Sequence, residues 1–215
     1  MKSQLIKLSI FSLALLAGGI HAGNAQVLTF EGLQNTEAVS NYYNGGTGGA
    51  GSTGGPNYGI SFSGNSLALI SNTAGGSGNF SGEPSPSTIL FFLSGSAATL
   101  NAPAGFNTGF SFYYASSQNA TVNVYDGLNG SGTLLGSLNL VATPNPYNVW
   151  TPVGVTFAGT AKSVDFGGAA NFVGFDDITI NSATPGTAAV PEPGNVALLI
   201  GMASVGGAFL RRRRK

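Results

Sequence analysis

The sequence predicts an all-β domain, an antiparallel sandwich of two sheets, over residues 26–182. The composition favours strands joined by tight turns: 34 of the 215 residues are glycine and only 7% are charged, and Gly, Ser, Thr and Asn all lower helix propensity. No apolar stripe with helical spacing extends over ten residues in this stretch, whereas short apolar and β-branched runs bounded by Gly, Asn and Ser recur throughout it. A β-solenoid is the weaker alternative because the sequence has no fixed repeat period.

The first 25 residues have the pattern of a secretory signal peptide. Lys2 and Lys7 form a basic start, residues 8–20 form an apolar run, and Gly23 and Ala25 place small residues at the positions that signal peptidase requires. We therefore expect export through the Sec machinery and cleavage after Ala25. An N-terminal membrane anchor is the alternative, but the apolar run is short for a span of about 20 residues.

Within the domain, the predicted strands alternate apolar and polar residues with the period of two that a half-buried strand requires. Val122 and Val124 share one face, as do Phe110 and Phe112. The predicted strands cover residues 27–31, 59–63, 67–71, 88–93, 108–115, 120–126, 133–141, 149–157, 162–166 and 172–180. This many short strands in one domain are typical of a sandwich.

Two segments of the domain are predicted as flexible loops. Residues 44–57 have the sequence NGGTGGAGSTGGPN, and residues 72–87 have the sequence NTAGGSGNFSGEPSPS. Both are too rich in Gly, Ser and Pro to bury a core. The first is a poor candidate for a phosphate-binding loop, because no lysine follows it and no strand-to-helix turn surrounds it.

The C-terminal part combines a linker, an apolar run and a basic end. Residues 183–193 form the linker, which ends in Val190, Pro191, Glu192 and Pro193, and the prolines keep it extended. Residues 194–210 are uncharged and just long enough to span the inner membrane as a helix. The last five residues, 211–215, are all basic and are expected to stay in the cytoplasm. The domain would then lie outside the cytoplasm, as the leader independently predicts.

This ending resembles the PEP-CTERM sorting signal of Gram-negative bacteria. The matching residues are Pro191, Glu192 and Pro193, then the apolar helix, then Arg211, Arg212, Arg213 and Arg214. The resemblance covers about 25 residues and implies that an exosortase, a transpeptidase-like membrane enzyme, cuts the chain near the Pro-Glu-Pro motif. It also implies a surface or extracellular protein, often in bacteria that make exopolysaccharide. A single-pass anchor that is never cut is the alternative.

Residue types that are missing exclude several function classes. The chain has no cysteine, and its only histidine, His21, lies in the leader. The exported domain therefore lacks the groups for Ser-His-Asp catalysis, for a cysteine nucleophile and for a His-ligated transition metal. Between residues 26 and 190 one base, Lys162, stands against seven acids, for a net charge of −6. Binding of nucleic acid, which needs clustered Lys and Arg, is not expected.

The borders of the domain are similar to those of galactose-binding-like jelly rolls, a group that includes many carbohydrate-binding modules. The domain opens with LTFEGL at residues 28–33 and closes with VGFDDITI at residues 173–180. The resemblance implies a jelly-roll-like sandwich in which the first and last strands are neighbours and acidic groups between them hold a structural Ca²⁺. The corresponding residues here are Glu31, Asp176 and Asp177, and carboxylates with backbone carbonyls suffice as ligands for calcium. Solvated acids without a metal are the alternative.

We expect the domain to be a non-catalytic module that binds polysaccharide in the envelope or biofilm. Aromatic rings stack on sugars, and Tyr42, Tyr43 and Tyr147 lie among Asn, Gly and Pro, where loops or strand edges are expected. Ordinary packing, with the hydroxyl hydrogen-bonded, is the alternative for each ring. Trp150 begins a predicted strand and is expected in the core.

Two other functions are compatible with the sequence. A structural adhesin would self-associate through unprotected strand edges. A glycoside hydrolase would need a pair of carboxylates, and nothing in the sequence pairs any two of the available acids, which are Glu31, Glu37, Glu83, Asp126 and Asp165.

Overall fold

The computed structural model describes residues 24–186. Within this range the chain forms eleven β-strands and one short 3₁₀ helix at Asn72–Ala74, without an α-helix. A search of the same residues for a helix long and apolar enough to cross a membrane finds none. Residues 1–23 of the predicted leader, the Pro-Glu-Pro motif, the predicted transmembrane helix of residues 194–210 and the basic end lie outside the described residues.

The strands form two sheets, and all strand pairs are antiparallel. In chain order the strands are β1 (Gln26–Leu28), β2 (Ser61–Phe62), β3 (Leu67–Ile70), β4 (Thr88–Phe91), β5 (Ala97–Phe106), β6 (Phe110–Ser116), β7 (Ala120–Tyr125), β8 (Leu134–Leu140), β9 (Thr151–Val155), β10 (Ala161–Gly167) and β11 (Val173–Ile180). Sheet A has the order β3-β4-β11-β6-β9, with β1 also paired to β11, and sheet B has the order β2-β5-β10-β7-β8. The predicted all-β fold with two antiparallel sheets is confirmed.

The first and last strands of the domain are neighbours. Gln26 lies opposite Ile180, and Leu28 lies opposite Ile178. The described chain therefore enters and leaves at the same end of sheet A. The opposite end of β11, at Val173, is where the candidate site lies.

The core between the sheets is rich in phenylalanine. Phe112 of sheet A packs edge-on against Phe166 of sheet B, with ring centroids 5.9 Å apart, and Phe166 lies 4.9 Å from Phe175 of β11. Such edge-to-face pairs add about 0.5–1.5 kcal/mol beyond burial alone. The predicted inward faces of β6 and β7 are confirmed, since the four residues that define them are fully buried: Phe110, Phe112, Val122 and Val124.

The longest strand, β5, is absent from the predicted set. It contains four alanines together with Pro103 and Gly105, residue types with low β propensity. Its register with β10 shifts between Ala161 and Ser163, which pair with Phe106 and Asn101, and Pro103 lies at this irregularity. Tertiary pairing in the middle of sheet B thus overrides the local propensity.

The Gly-rich segment 44–57 is tied down by one buried carboxylate. Glu37 is 3% exposed and accepts hydrogen bonds from the backbone N–H groups of Gln34, Ala50 and Ser52, at 2.7–3.1 Å, and from the Ser52 hydroxyl at 2.5 Å. Burial alone raises the pKa of Glu37, but these hydrogen bonds outweigh it and lower the pKa. The loop therefore has a defined attachment to the body of the domain.

Candidate functional site

A small, open cleft with a volume of about 30 Å³ lies on the outer face of sheet A, at the Val173 end of β11. Its floor comes from strands β3, β4, β6 and β11, and its walls come from the loop before β4 and the loop before β9. The lining residues are Leu69, Asn79, Phe80, Ile89, Phe91, Ala115, Tyr147, Trp150, Asn171, Val173 and Gly174.

Aromatic rings at right angles form the walls of the cleft. The rings of Phe80 and Trp150 have centroids 6.1 Å apart and an interplanar angle of 81°. The indole can lie on the floor because Gly174 has no side chain: a Cβ there would be 3.3 Å from Trp150 and 2.6 Å from Ile89. The Trp150 ring is half-buried, so part of its surface stays open to the cleft.

One residue, Ser81, holds the two wall loops together. Its backbone N–H donates to the Tyr147 carbonyl at 2.9 Å, and its hydroxyl donates to Oδ1 of Asn148 at 3.0 Å. The indole Nε1 of Trp150 donates to the Ser81 carbonyl at 3.1 Å. These three bonds fix the spacing of the walls before any ligand arrives.

Two lining residues have a left-handed backbone conformation. Tyr147 has φ of 74° and Asn171 has φ of 67°. This conformation costs a bulky residue such as tyrosine about 1–2 kcal/mol, and strain of this kind clusters at ligand sites. The hydroxyl of Tyr147 is held by a 2.8 Å hydrogen bond with Oγ of Ser117.

The cleft is uncharged and offers amide groups at its rim. None of its lining residues is acidic or basic, so its chemistry suits a neutral ligand. Asn79 and Asn171 are both exposed and present carboxamides that can donate and accept hydrogen bonds at the same time.

The three tyrosines singled out from the sequence have different surroundings. Tyr147 lines the cleft, whereas Tyr42 and Tyr43 are 4% and 2% exposed and belong to the core. The Tyr43 hydroxyl accepts a 2.6 Å hydrogen bond from the Phe30 N–H, and the Tyr42 hydroxyl donates to the Glu31 carbonyl at 2.8 Å. Their rings cannot stack on a sugar, and we leave both residues out of the candidate site.

Sequence reasoning missed most of the cleft. Trp150, expected in the core, is half-buried in the cleft wall, and Phe80 lies in a segment expected to be a flexible loop. The available signal was the turn sequence before β9, in which Tyr147 and Trp150 stand among Asn and Pro. Nothing local indicated that a loop some 70 residues earlier supplies the facing wall.

The acids expected to hold calcium lie where β11 faces the end of the loop before β4. Asp176 is fully buried and accepts hydrogen bonds from the N–H and hydroxyl of Ser85, both at 2.8 Å. Burial raises the pKa of Asp176 to about 8, although the hydrogen bonds from Ser85 oppose the rise. Glu31 accepts from the backbone N–H groups of Ser87 and Thr88 at 2.9 and 2.7 Å.

Asp177 differs from its two acidic neighbours. Its side chain is 1% exposed, and neither carboxylate oxygen has a hydrogen-bond partner among the described residues. Burial, with the negative charge of Glu31 as a second cause, raises the pKa of Asp177 to about 6. A buried carboxylate without partners costs several kcal/mol unless it is neutralised.

This donor set fits a calcium ion only with help from backbone carbonyls or water. No group of three acidic side chains among residues 24–186 is close enough to hold a metal ion alone, and Glu31 and Asp176 already accept several hydrogen bonds. The two free oxygens of Asp177 are hard ligands of the kind that calcium prefers.

The acids considered for glycoside hydrolysis are not gathered at the cleft. None of the five lines it. Asp126 accepts from the Thr133 N–H at 2.6 Å, Asp165 accepts from the Thr99 hydroxyl at 2.9 Å, and Glu37 anchors the Gly-rich segment.

Comparisons with known proteins give structural likenesses only. Neither the protein-family models nor the curated proteins give a match. Among solved structures, a glycoside hydrolase family 43 arabinoxylan arabinofuranohydrolase from Bacillus subtilis is 22% identical, with a TM-score of 0.37, over 54% of this chain and 24% of that chain. This chain thus spans about a quarter of that enzyme.

Two further solved structures match over most of their own length. A carbohydrate-binding module of a Cellvibrio mixtus lichenase is 15% identical, with a TM-score of 0.34, over 55% of this chain and 87% of that one. A cleaved adhesin domain of Lys-gingipain from Porphyromonas gingivalis is 13% identical, with a TM-score of 0.30, over 73% and 90%.

Proposed function

We propose that this domain is a non-catalytic module that binds neutral polysaccharide in the cleft on the outer face of sheet A. The observation that carries the proposal is the arrangement of half-buried Trp150 and Tyr147 around an uncharged floor, with exposed Asn79 and Asn171 at the rim. Phe80 is 4% exposed and supports the Trp150 ring by edge-to-face packing. A sugar ring has apolar faces that stack on aromatic rings and hydroxyl groups at its edge that pair with carboxamides.

The rigidity of the walls supports binding rather than simple packing. Ser81 joins both wall loops by three hydrogen bonds, so the aromatic rings keep their places without a ligand. Groups that are already ordered lose less conformational entropy on binding.

A binding assay with one matched control tests this proposal. Residues 26–186 contain all eleven strands, and this domain would be titrated with neutral and acidic polysaccharides by calorimetry. We expect saturable binding of a neutral polymer and a loss of tenfold or more, about 1.4 kcal/mol, in Trp150→Ala. Tyr125→Ala, on sheet B, is the control and should bind normally.

An absence of binding, or binding that does not depend on Trp150, would contradict the proposal. A folded domain that binds no glycan, or in which Trp150→Ala binds as well as the wild type, contradicts a sugar site in the cleft. Assembly that depends on protein concentration would then favour the self-associating adhesin.

We also propose that the protein is exported and sorted to the cell surface, where its ligand would be an envelope or biofilm polysaccharide. The support is the sequence: the leader to Ala25, the Pro191-Glu192-Pro193 motif, the apolar run and the arginines. The Sec machinery, an exosortase and, transiently, the inner membrane are the proposed partners. Mass spectrometry of the N- and C-termini of the mature protein, from a strain with an exosortase and from one without it, tests this proposal. A C-terminus that still includes Arg214 in both strains contradicts sorting.

A structural calcium ion at Asp177 is a separate proposal. It rests on the two buried carboxylate oxygens without partners beside the charge of Glu31. When bound, the ion would supply positive charge that offsets the cost of burying Asp177, with Glu31 and backbone carbonyls as further oxygen ligands. Thermal melting of the domain with calcium and with chelator tests this proposal.

A further inference from the structure

The outer face of sheet A is organised in successive rows across strands β9, β6 and β11. In an antiparallel sheet, residues directly opposite each other point to the same face, and the next residues on that face are two positions along each strand. The first row belongs to the cleft, where Ala115 of β6 lies opposite Gly174 of β11 and Trp150 packs over Gly174.

The second row lies immediately beside the cleft. Tyr113 of β6 lies opposite Pro152 of β9 and opposite Asp176 of β11. Tyr113 is half-buried and Pro152 is exposed, whereas Asp176 is covered by the loop residue Ser85. The rings of Tyr113 and Pro152 therefore form an apolar surface next to the cleft. This row is two residues along each strand from the row of Ala115 and Gly174, a distance of about 7 Å.

The Tyr113 side chain is half-buried and differs from its neighbours in its contacts with the other residues of the range 24–186. Among the aromatic pairs of the described residues, none includes its ring, although Phe112 and Tyr114 on either side both pack into the core. Its hydroxyl takes part in no side-chain hydrogen bond within the same range, unlike that of Tyr114, which donates to the Val141 carbonyl. The half-buried Tyr113 ring thus lies on the same outer face of sheet A as Trp150.

The third row is closed by the chain itself. Ser111 lies opposite Gly154 and Thr179, and residues 182–186, which we call the strap, run over this row. The Ser111 hydroxyl donates to the Ser182 carbonyl at 2.9 Å, and the Gly186 N–H donates to Oγ1 of Thr179 at 3.0 Å.

Glycine makes room for the strap. A Cβ at Gly154 would overlap the backbone carbonyl of Ala183, and one at Gly109 would lie 2.6 Å from the Ala183 nitrogen. Neither glycine has a positive φ, so space rather than backbone conformation requires glycine at these positions. The open part of the outer face of sheet A, which we call the lane, therefore consists of the cleft row and the row of Tyr113 and Pro152. The strap covers the next row and ends the lane.

We propose that the saccharide site extends from the cleft onto a second subsite formed by Tyr113 and Pro152, and that the strap limits this lane to those two subsites. The inference rests on the proposed polysaccharide-binding function and names its ligand more closely: a neutral chain that places one sugar against Trp150 and the next against Tyr113.

Oligosaccharides of increasing length test the second subsite. The domain of residues 26–186 would be titrated with gluco-, manno- and galacto-oligosaccharides, each from the monosaccharide to the hexasaccharide. We expect affinity to rise from the monosaccharide to the disaccharide and then to level off. Tyr113→Ala should remove about tenfold of the affinity for disaccharides and longer chains and leave monosaccharide affinity unchanged, whereas Tyr113→Phe should bind like the wild type. Tyr125→Ala is the control for loss of a half-buried tyrosine elsewhere.

The strap is tested by Gly154→Ala, whose added Cβ displaces residues 182–186. This variant should gain affinity for the trisaccharide and longer chains by about threefold or more, with no change for the disaccharide. Trypsin cannot report on the strap because no Lys or Arg lies near it, so proteinase K and mass spectrometry would confirm that it is released.

The outcomes separate this inference from the proposed function. If Trp150→Ala abolishes binding while Tyr113→Ala changes the affinity for all lengths equally, or for none, the second subsite is overturned and the cleft stands. If Gly154→Ala releases the strap without a gain for longer chains, the limit set by the strap is overturned. If the wild type binds no oligosaccharide or polymer, both proposals fall together.

Discussion

The indole of Trp150 is hydrogen-bonded to the Ser81 carbonyl at 3.1 Å, across 69 residues of sequence. This bond joins the loop before β9 to the loop before β4, and the cleft is the space between them. Trp150 thus contributes to the site in two ways, by offering a ring to the ligand and by locating the opposite wall. Because the indole is held in place by this bond, an added methyl group on the floor beneath it should disturb the cleft.

Gly174→Ala should damage the cleft. The new methyl group would lie 2.6 Å from Cδ1 of Ile89 and 3.3 Å from Trp150, and overpacking of this kind costs about 1–3 kcal/mol. We expect a lower melting temperature and a loss of polysaccharide affinity of about tenfold. Gly64→Ala is the matched control, because no atom lies within 4 Å of its added Cβ. Equal behaviour of the two variants would contradict the described floor.

Glu37→Gln should destabilise the domain by about 1–3 kcal/mol, because an amide cannot accept all the hydrogen bonds that the carboxylate accepts. The effect should depend on pH. The pKa of Glu37 is lowered in the folded state, so its contribution is fully present above its unfolded value of about 4.5 and is lost as the pH falls through the folded value.

Urea denaturation of both proteins across the acid range would measure this dependence. The two stabilities should converge as the pH falls. Glu83→Gln is the control, since the structure gives Glu83 no hydrogen bond comparable to those of Glu37. A difference between wild type and Glu37→Gln that is constant down to the lowest pH would contradict the assignment.

Calcium should raise the melting temperature of the wild-type domain, and chelator should return it to the value of the calcium-free protein. A ligand present at 100 times its Kd adds about 2.7 kcal/mol of stability. Asp177→Asn should remove the response, and in chelator it should melt no lower than the wild type, because it removes a buried charge without partners. Asp126→Asn, which changes a half-buried acid directly after β7, should respond to calcium like the wild type. Identical wild-type melts with calcium and with chelator would contradict the calcium proposal.

Tyr43→Phe should lower stability without affecting ligand binding. The hydroxyl accepts a hydrogen bond from the buried Phe30 N–H at 2.6 Å, and its removal leaves that donor without a partner, at a cost of about 1–3 kcal/mol. Thermal melting of Tyr43→Phe would test the loss of stability, and a sugar titration of the same sample would test whether binding is unchanged. Tyr125→Phe is the control for stability. A loss of affinity in folded Tyr43→Phe would return this residue to the ligand site.

Local patterns predicted the strands well where side chains alternate. The inward Phe110 and Phe112 and the closing strand at Ile178 and Ile180 follow directly from the period of two. The strand β5 was missed because alanine, proline and glycine carry no such signal, and its place between β2 and β10 comes from long-range pairing.

The candidate site was less predictable than the fold. Tyr42 and Tyr43 stand among polar and Gly-rich neighbours, but the segment folds over the domain and buries both rings. The cleft arises only when loops distant in sequence meet at Ser81, a contact made largely by backbone groups that any residue possesses. The grouping of Glu31, Asp176 and Asp177 came from the resemblance of the domain borders to jelly rolls. Strands β1 and β11 do pair, and the Ser85 hydroxyl contacts both Glu31 and Asp176.

The position of the cleft on β11 has a mechanical consequence. Gly174 lies in the cleft floor, while Ile180, about 20 Å further along the strand, leads into the strap and the chain end. Tension between a bound polymer and residue 186 would run lengthwise through β11, which is paired along both edges. Such a load shears many hydrogen bonds together instead of peeling them apart one by one, so the domain should resist pulling along this axis better than across it.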